Sequence, residues 1–540
     1  MVSPFSHPWW ESFTSLGPKP RCKDEWLIVE ISRKVREEPD WRVKFKNPTE
    51  SIHWIASLKK VYGEKTKHIN EVIEYVWAEL DWYDAIESAL SPSGFKFGCD
   101  DKILLSDEAV DNGVKARLSE EVKNYEELLG TKSGDKVVDL IDPSLYPLQY
   151  GITPVYTDFE RFDVEIIEYS EDIPKVKKWV AKYGTSKKYQ LLPSVLRFNE
   201  ENKKFEFRSY INNLHPINQA KLYFAFSEIF NSILPGLNLS LSRYASTPYI
   251  RVEIPPFENA YEEEFQEKYD AFVNELEPWD DVKFREFHAT KVNYLKTFVP
   301  EFNGGPIQDR NIDLAKDFGE VKVIVKLTDV QLTPEYPTYD GRPWQSEGKI
   351  NEDIVATVLY YFDAENITEP KLDFRTAFDD PKYEQGDSFY PKEIYGLEAG
   401  DSMTKEIGDV VVKEGRVLIF PNCYQSRVDP FQLKDNTKKG HCKILSFFIV
   451  DPYNELVVPT SHVPPQQKEW WDDPELSKTK ITSELKEKIL ALTGGSDWPL
   501  SIAQATGIRD LLLDERSQEE DRFDENPAFT RKFDFHDFDT

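Results

Sequence analysis

Hydrophobic positions recur along this chain with two different periods, and the change of period divides it. From Asp24 the apolar residues Leu27, Ile28, Ile31 and Val35 fall on one face of a helix that Pro39 stops. A second helix reads from about 69 to 86, carrying Val72, Ile73, Val76, Trp77, Leu80 and Tyr83. Between Tyr189 and Tyr210 two short strand patterns flank the polar turn Asn199-Glu200-Glu201-Asn202, which predicts a hairpin. His215, next to Pro216, is expected to cap or bond locally before a helix over about 217–234. From Glu320 the period drops to two, with Val321, Val323, Val325 and Leu327 alternating with polar residues. Further strands are predicted over 354–362, 409–412, 416–420 and 444–450. The first of these is an unbroken apolar run rich in β-branched and aromatic side chains, the mark of a strand buried on both faces. After Pro464-Pro465 helical patterns return at about 483–492 and 502–516. Residues 255–310 read as an acidic, irregular surface excursion, and residues 517–540 as a loose acidic tail studded with Phe.

Consecutive strands without alternating helices predict an α+β protein with an antiparallel double-sheet core, a double-stranded β-helix or jelly roll. Its expected divisions are a mostly helical region over 1–185, the roll with helical and acidic insertions over 186–470, and helices with an acidic tail over 471–540.

Composition narrows the choice of partners. The chain has 540 residues, 40% hydrophobic and 14% aromatic, enough for a core although 30% are charged. A formal net charge of −30 works against nucleic-acid phosphates and anionic membranes, so neither is expected as a partner. The four cysteines, Cys22, Cys99, Cys423 and Cys442, are too few and scattered for a disulfide framework and read as reduced thiols. No run approaches the ~20 apolar residues of a membrane helix. A cytoplasmic protein is expected, with the nucleus left open.

The candidate chemistry lies in the polar turn Arg342-Pro343-Trp344-Gln345-Ser346-Glu347-Gly348, which leads into the 354–362 strand. Glu347 is the candidate metal-binding carboxylate at the mouth of the roll, and Gln345 stands where a partner ligand would. No Gly-rich phosphate loop, nucleophile elbow or His-Glu-x-x-His occurs.

Several stretches carry a resemblance. They are Asp142-Pro143-Ser144-Leu145-Tyr146-Pro147, Ser209-Tyr210-Ile211-Asn212-Asn213-Leu214-His215-Pro216 and Trp344-Gln345-Ser346-Glu347-Gly348. Phe420-Pro421-Asn422, Gln425-Ser426-Arg427-Val428 and Gly440-His441-Cys442-Lys443-Ile444-Leu445 join them. In these the chain resembles a large fungal family catalogued as domain of unknown function 4246. The C-terminal half of that family itself resembles 2-oxoglutarate/Fe(II)-dependent oxygenases. The resemblance implies two histidines and a carboxylate as facial iron ligands, with a basic residue clamping the 2-oxoglutarate carboxylate. This chain departs from that pattern. Gln345 replaces the first His, Ser426 the distal His and Cys442 the basic clamp, whereas Glu347 keeps the carboxylate.

The metal positions are therefore Gln345, Glu347 and Ser426, and the cosubstrate positions are Cys442 with Arg427 as a substitute clamp. Arg416 is another possible clamp. Lys443 is expected to face away from residue 442, and His441 to be structural. The reading that follows is a catalytically degenerate oxygenase-like binding or regulatory protein with no cofactor. Its partner would be an unidentified protein or small molecule in the barrel mouth. The alternative is an active oxygenase or other enzyme that uses Glu347 with further ligands in the barrel pocket that the sequence does not mark, taking Fe(II) and 2-oxoglutarate if the site is still active.

Overall fold

The computed structural model describes residues 3–5, 19–90, 93–130, 136–158, 161, 163–169, 184–254, 261–276, 280–296, 298–306, 308–383, 389–471, 483–493, 498–523 and 527–534. Helix α1 (Lys23–Glu37) starts with Asp24 and Glu25 in its first turn and ends with Lys34 and Arg36 in its last, matching the helix dipole. Helix α2 (Ile69–Ala89) buries Val72, Ile73, Val76, Leu80 and Tyr83, the stripe its sequence predicts. Strands β1 (Lys96–Phe97) and β2 (Leu104–Ser106) follow, then α3 (Asn112–Leu129) and β3 (Val137–Ile141). The expected hairpin is β4 (Ser194–Asn199) with β5 (Lys204–Phe207).

His215 caps as expected, its Nδ1 accepting from the Ile217 and Asn218 amides, both at 3.2 Å. The next helix, α4 (Ala220–Ala245), runs past the predicted stop, with Pro235 inside it. Its apolar stripe, Phe226, Phe230, Ile233, Leu237 and Leu241, stays buried across the proline, and that packing outweighs one missing backbone donor.

The described residues of 255–310 are not wholly irregular. They hold α5 (Glu263–Glu275) and α6 (Asp281–Ala289). Acidic solvent faces hide an aromatic stripe: Phe265 and Phe272 stack on Phe287 at 5.9 and 4.2 Å.

The β-rich block comprises β6 (Glu320–Leu332), β7 (Thr338–Tyr339), β8 (Ile354–Glu365), β9 (Lys371–Ala377), β10 (Thr404–Val411), β11 (Arg416–Pro421), β12 (Gln425–Val428), β13 (Phe431–Gln432) and β14 (Gly440–Val450). Among the described residues nine strands form one antiparallel sheet, ordered β1-β2-β11-β8-β14-β6-β4-β5, with β3 also on the β6 edge. A second sheet is ordered β10-β9-β12, and β7 pairs with β13. The two sheets face each other across Val330, Tyr361, Phe420 and Cys442 from the large one and Leu372, Phe374, Val410 and Phe431 from the other side. The outer face of the large sheet packs on α4, where Phe447 meets Phe230 at 5.9 Å. Burial on both faces explains why β8 reads as one continuous apolar run.

The helices α7 (Ser483–Leu492) and α8 (Ile502–Phe523) follow. Part of the expected loose tail is held in place. Phe533 is 1% exposed, its amide bonds to the Asp401 carbonyl, and its carbonyl accepts from the Gly400 amide. No described helix is long and apolar enough to cross a membrane. The four cysteines are free.

Candidate functional site

The turn before β8 is fastened at three points. Gln345 and Ser426 exchange both backbone bonds at 3.0 Å, an antiparallel bridge that sets their side chains together on one face. The amide of Asn422 accepts from Glu347 N at 2.9 Å and donates to Glu347 O at 2.7 Å and Ile354 O at 2.9 Å. Gly348 has φ +74°, and a Cβ there would stand 2.6 Å from Ile354 Cδ1, so only glycine lets the chain fold back behind Glu347. The result brings the three predicted metal positions together. Gln345 Nε2 donates to Glu347 Oε1 at 3.4 Å, with Ser426 buried opposite.

The other two predicted positions stand elsewhere. Arg427 follows Ser426 in β12 and so points to the other face. There its guanidinium donates to Asp373 at 2.6 and 3.2 Å and stacks on Trp344 at 4.5 Å, and the bond to Asp373 holds its pKa above the ordinary value. Arg375 lies 4.8 Å from the same ring. Cys442 is 1% exposed between the sheets, paired in register with Val330 and Ala364. Burial pushes its thiol up to about 12, so it is neutral.

Arg416 is committed to Asp107 at 2.7 and 2.8 Å. Lys443 faces outward, as expected, to Glu126 at 2.9 Å, and His441 pairs with Asp363 at 3.0 Å in a structural role. Among the described residues no group of three or more His, Cys, Asp or Glu side chains could hold a metal ion.

Sequence reasoning missed a set of polar groups inside the fold. Arg342 donates to the Tyr339 hydroxyl at 3.2 Å. Burial works against its charge, yet Tyr339, Glu347 and Asp139 around it hold its pKa above the ordinary value. Lys326 pairs with Asp139 at 3.0 Å, and Thr328 donates to the same carboxylate at 2.6 Å. Alternation along β6 singles out Val321, Val323, Val325 and Leu327, and residues 326 and 328 fall on the opposite face, the one that Val330 shares with the inter-sheet cluster. The usable signal was a polar side chain at an inward position of a strand covered on both sides.

A family model described as "Protein of unknown function (DUF4246)" matches residues 70–474, and one described as "Domain of unknown function DUF4246, N-terminal" matches residues 2–57. The chain belongs to the DUF4246 family. No curated protein matches it. Among solved structures, the Fe(II)/(alpha)ketoglutarate-dependent dioxygenase TqaL is 10% identical over 65% of this DUF4246 chain and 95% of its own, with a TM-score of 0.24. IDO from Bacillus thuringiensis is 13% identical over 24% of this chain and 46% of its own, less than half its length, with a TM-score of 0.17. The vicilin from Solanum melongena is 9% identical over 33% and 36%, with a TM-score of 0.12. Likenesses this slight carry no argument, and the DUF4246 site is read from its own residues.

Proposed function

We propose that this DUF4246 protein is built on a double-stranded β-helix of the 2-oxoglutarate/Fe(II) oxygenase kind and serves as a non-catalytic binding or regulatory protein. The strand order supports the roll: β6, β8, β11 and β14 lie in the large sheet, while the strands between them pair apart from it. One observation carries the loss of catalysis. The three rim positions that would ligate iron meet, but they present an amide, a hydroxyl and one carboxylate, with the amide nitrogen turned as a donor to Glu347. Neutral imidazoles hold Fe(II) well. An amide and a hydroxyl are weak donors to it, so these residues do not fit the metal. Cys442, neutral at the clamp position, gives a carboxylate no charge to pair with.

Iron content after anaerobic purification with Fe(II) tests this reading. Wild type is expected to stay iron-free, and the triple variant Gln345→His, Ser426→His, Cys442→Arg to gain about one iron per chain. Stoichiometric iron in wild type, lost in Glu347→Ala, overturns it.

A further inference from the structure

We propose that residues 527–534 are a strap that docks beside the second sheet and, through Phe529 and Arg375, holds the turn of Gln345 and Glu347 in place. Release of the strap then loosens the candidate site. The inference goes beyond the non-catalytic reading and stands whether or not the site holds iron.

The strap has the form of an added strand. A single helical turn, Pro527–Thr530, leads into it. Lys532 then forms an antiparallel bridge with Ser402. Around that bridge the Met403 amide donates to the Arg531 carbonyl at 2.9 Å, and the Phe533 amide to the Asp401 carbonyl at 2.8 Å. The Gly400 amide donates to the Phe533 carbonyl at 2.8 Å. Residues 400–403 lead directly into β10, an edge strand of its sheet. An open edge is a template for pairing, and here the chain's own C-terminal segment extends along its approach. Such pairing takes its strength from main-chain bonds and its choice of segment from side-chain slots.

Two aromatic residues fill the slots. Phe533 lies 5.6 Å from the Tyr383 ring, and the Tyr383 hydroxyl donates to the Asp534 carbonyl at 3.4 Å. Phe529 is buried against Ala377, the last residue of β9. Between them Arg531 pairs with Asp380, and Lys532 stays exposed.

The Phe529 end reaches the candidate site through a short run of contacts. The Arg375 guanidinium lies 5.8 Å from the Phe529 ring and 4.8 Å from the Trp344 ring. Its Nε donates to the Gln425 side chain at 2.6 Å. Trp344 precedes Gln345 and Gln425 precedes Ser426, so Arg375 ties together the two segments whose bridge forms the site. Arg427, the other guanidinium on Trp344, is fixed by Asp373. Arg375 has the face of Phe529 beside it instead. Without that ring the long Arg375 side chain regains rotamer freedom, and Trp344 and Gln425 lose a fixed neighbour. The strap is held by local contacts along one edge, so it opens at lower cost than the sheets beneath it.

Amide hydrogen exchange of the full chain, read residue by residue, tests the strap. The Gln345 and Ser426 amides, each bonded to the other's carbonyl, report on the site, and those of Gly400 and Met403 report on the strap. In Phe529→Ala both pairs are expected to exchange about 10-fold faster than in wild type, while 354–362 and 444–450 keep their protection. Phe533→Ala, which releases the strap from its far end, should do the same. Phe529→Leu keeps an apolar side chain in the slot and should restore most of the protection. Lys532→Ala, at an exposed strap position, should match wild type. Melting curves identify the folded variants. Unchanged exchange at Gln345 and Ser426 in folded Phe529→Ala overturns the proposal, as does a folded Phe533→Ala that speeds Gly400 and Met403 alone. Equal acceleration in every strand also overturns it, because Phe529 would then be an ordinary core residue. Iron content bears on the non-catalytic reading alone and changes none of these outcomes.

Discussion

Single residues decide what this fold can do, and the sequence exposes only some of them. Gln345, Ser426 and Cys442 are visible as departures from a family pattern; Gln345 and Ser426 meet through an antiparallel bridge, whereas Cys442 lies apart between the sheets. Arg427 looked equally suitable because it neighbours Ser426, but strand alternation turns it to Trp344 and Asp373. Asn422 stood within a matching motif, yet nothing in its spacing announced that its buried amide holds Glu347 and Ile354 together. Such roles depend on contacts across about 75 residues of chain, which no local pattern records.

The His441–Asp363 pair yields a prediction at this scale. The bond to Asp363 raises the His441 pKa above its ordinary 6.5, and the same bond lowers that of Asp363 below 3.8. The raised histidine contributes stability that is full below 6.5 and fades as pH rises through its folded value. The lowered carboxylate contributes above 3.8 and fades as pH falls. His441→Gln should therefore lower the urea midpoint at about pH 6, with the gap to wild type narrowing by about pH 8.5. An equal gap at both pH values would refute the assignment.

At the scale of elements, period and breakers located the central strands of the large sheet well, because β6, β8, β11 and β14 have faces that apolar packing must fill. Helices were mistaken where packing overrode the local signal. Pro235 did not stop α4, and acidic residues concealed α5 and α6. Helix α8 was expected over 502–516 and extends to Phe523. Among its described side chains Ala505 and Leu512 are buried, with Ile508 packed beside them, and polar contacts tie it as well. Arg516 meets the fully buried Glu352 at 2.5 Å, Glu515 accepts from Ser186 at 2.5 Å, and Arg509 lies 3.6 Å from Asp142.

Glu352 also accepts from the Leu191 and Lys349 amides, so removing Arg516 leaves its carboxylate partly satisfied. Arg516→Ala should cost about 1.5–3 kcal/mol, the worth of a hydrogen bond to a charged group. The loss should fall on α8: amide exchange over 502–516 is expected to speed up while β8 and β14 keep their protection. Uniform loss of protection across the sheet would show that α8 is not a separately held unit.

At the scale of the whole molecule, the helical layer and the sheets share one interior. Strands β2 and β3 lie early in the chain, yet they hydrogen-bond to β11 and β6. A buried charge network deepens the connection. Arg251, 6% exposed, donates to Glu79 of α2 at 2.7 Å, and its amide donates to Glu25 of α1 at 3.2 Å. Arg21 reaches both Glu25 at 3.5 Å and Asp100 in the β1–β2 turn at 3.1 Å. Asp100 then accepts from the Tyr424 hydroxyl, next to β12, at 2.6 Å. Contacts separated by 172 and 324 residues leave no trace in periodicity, which is why this joint could not be read from the sequence.

Its energetics follow from the cost of a lone charge in an interior. Arg251→Met leaves the Glu79 carboxylate, 0% exposed, without its cation and should cost about 3–5 kcal/mol; Glu79→Leu should cost a similar amount. The double variant removes both charges and should recover much of that loss, because an apolar pair of similar volume needs no partner. Urea unfolding of the four proteins measures the coupling. Because the network spans both layers, helical and tryptophan signals should fall together in every variant. Additive losses in the double variant would mean that the two side chains act independently. Separate transitions would mean that the helical layer unfolds without the sheets, and the network would then not be what joins them.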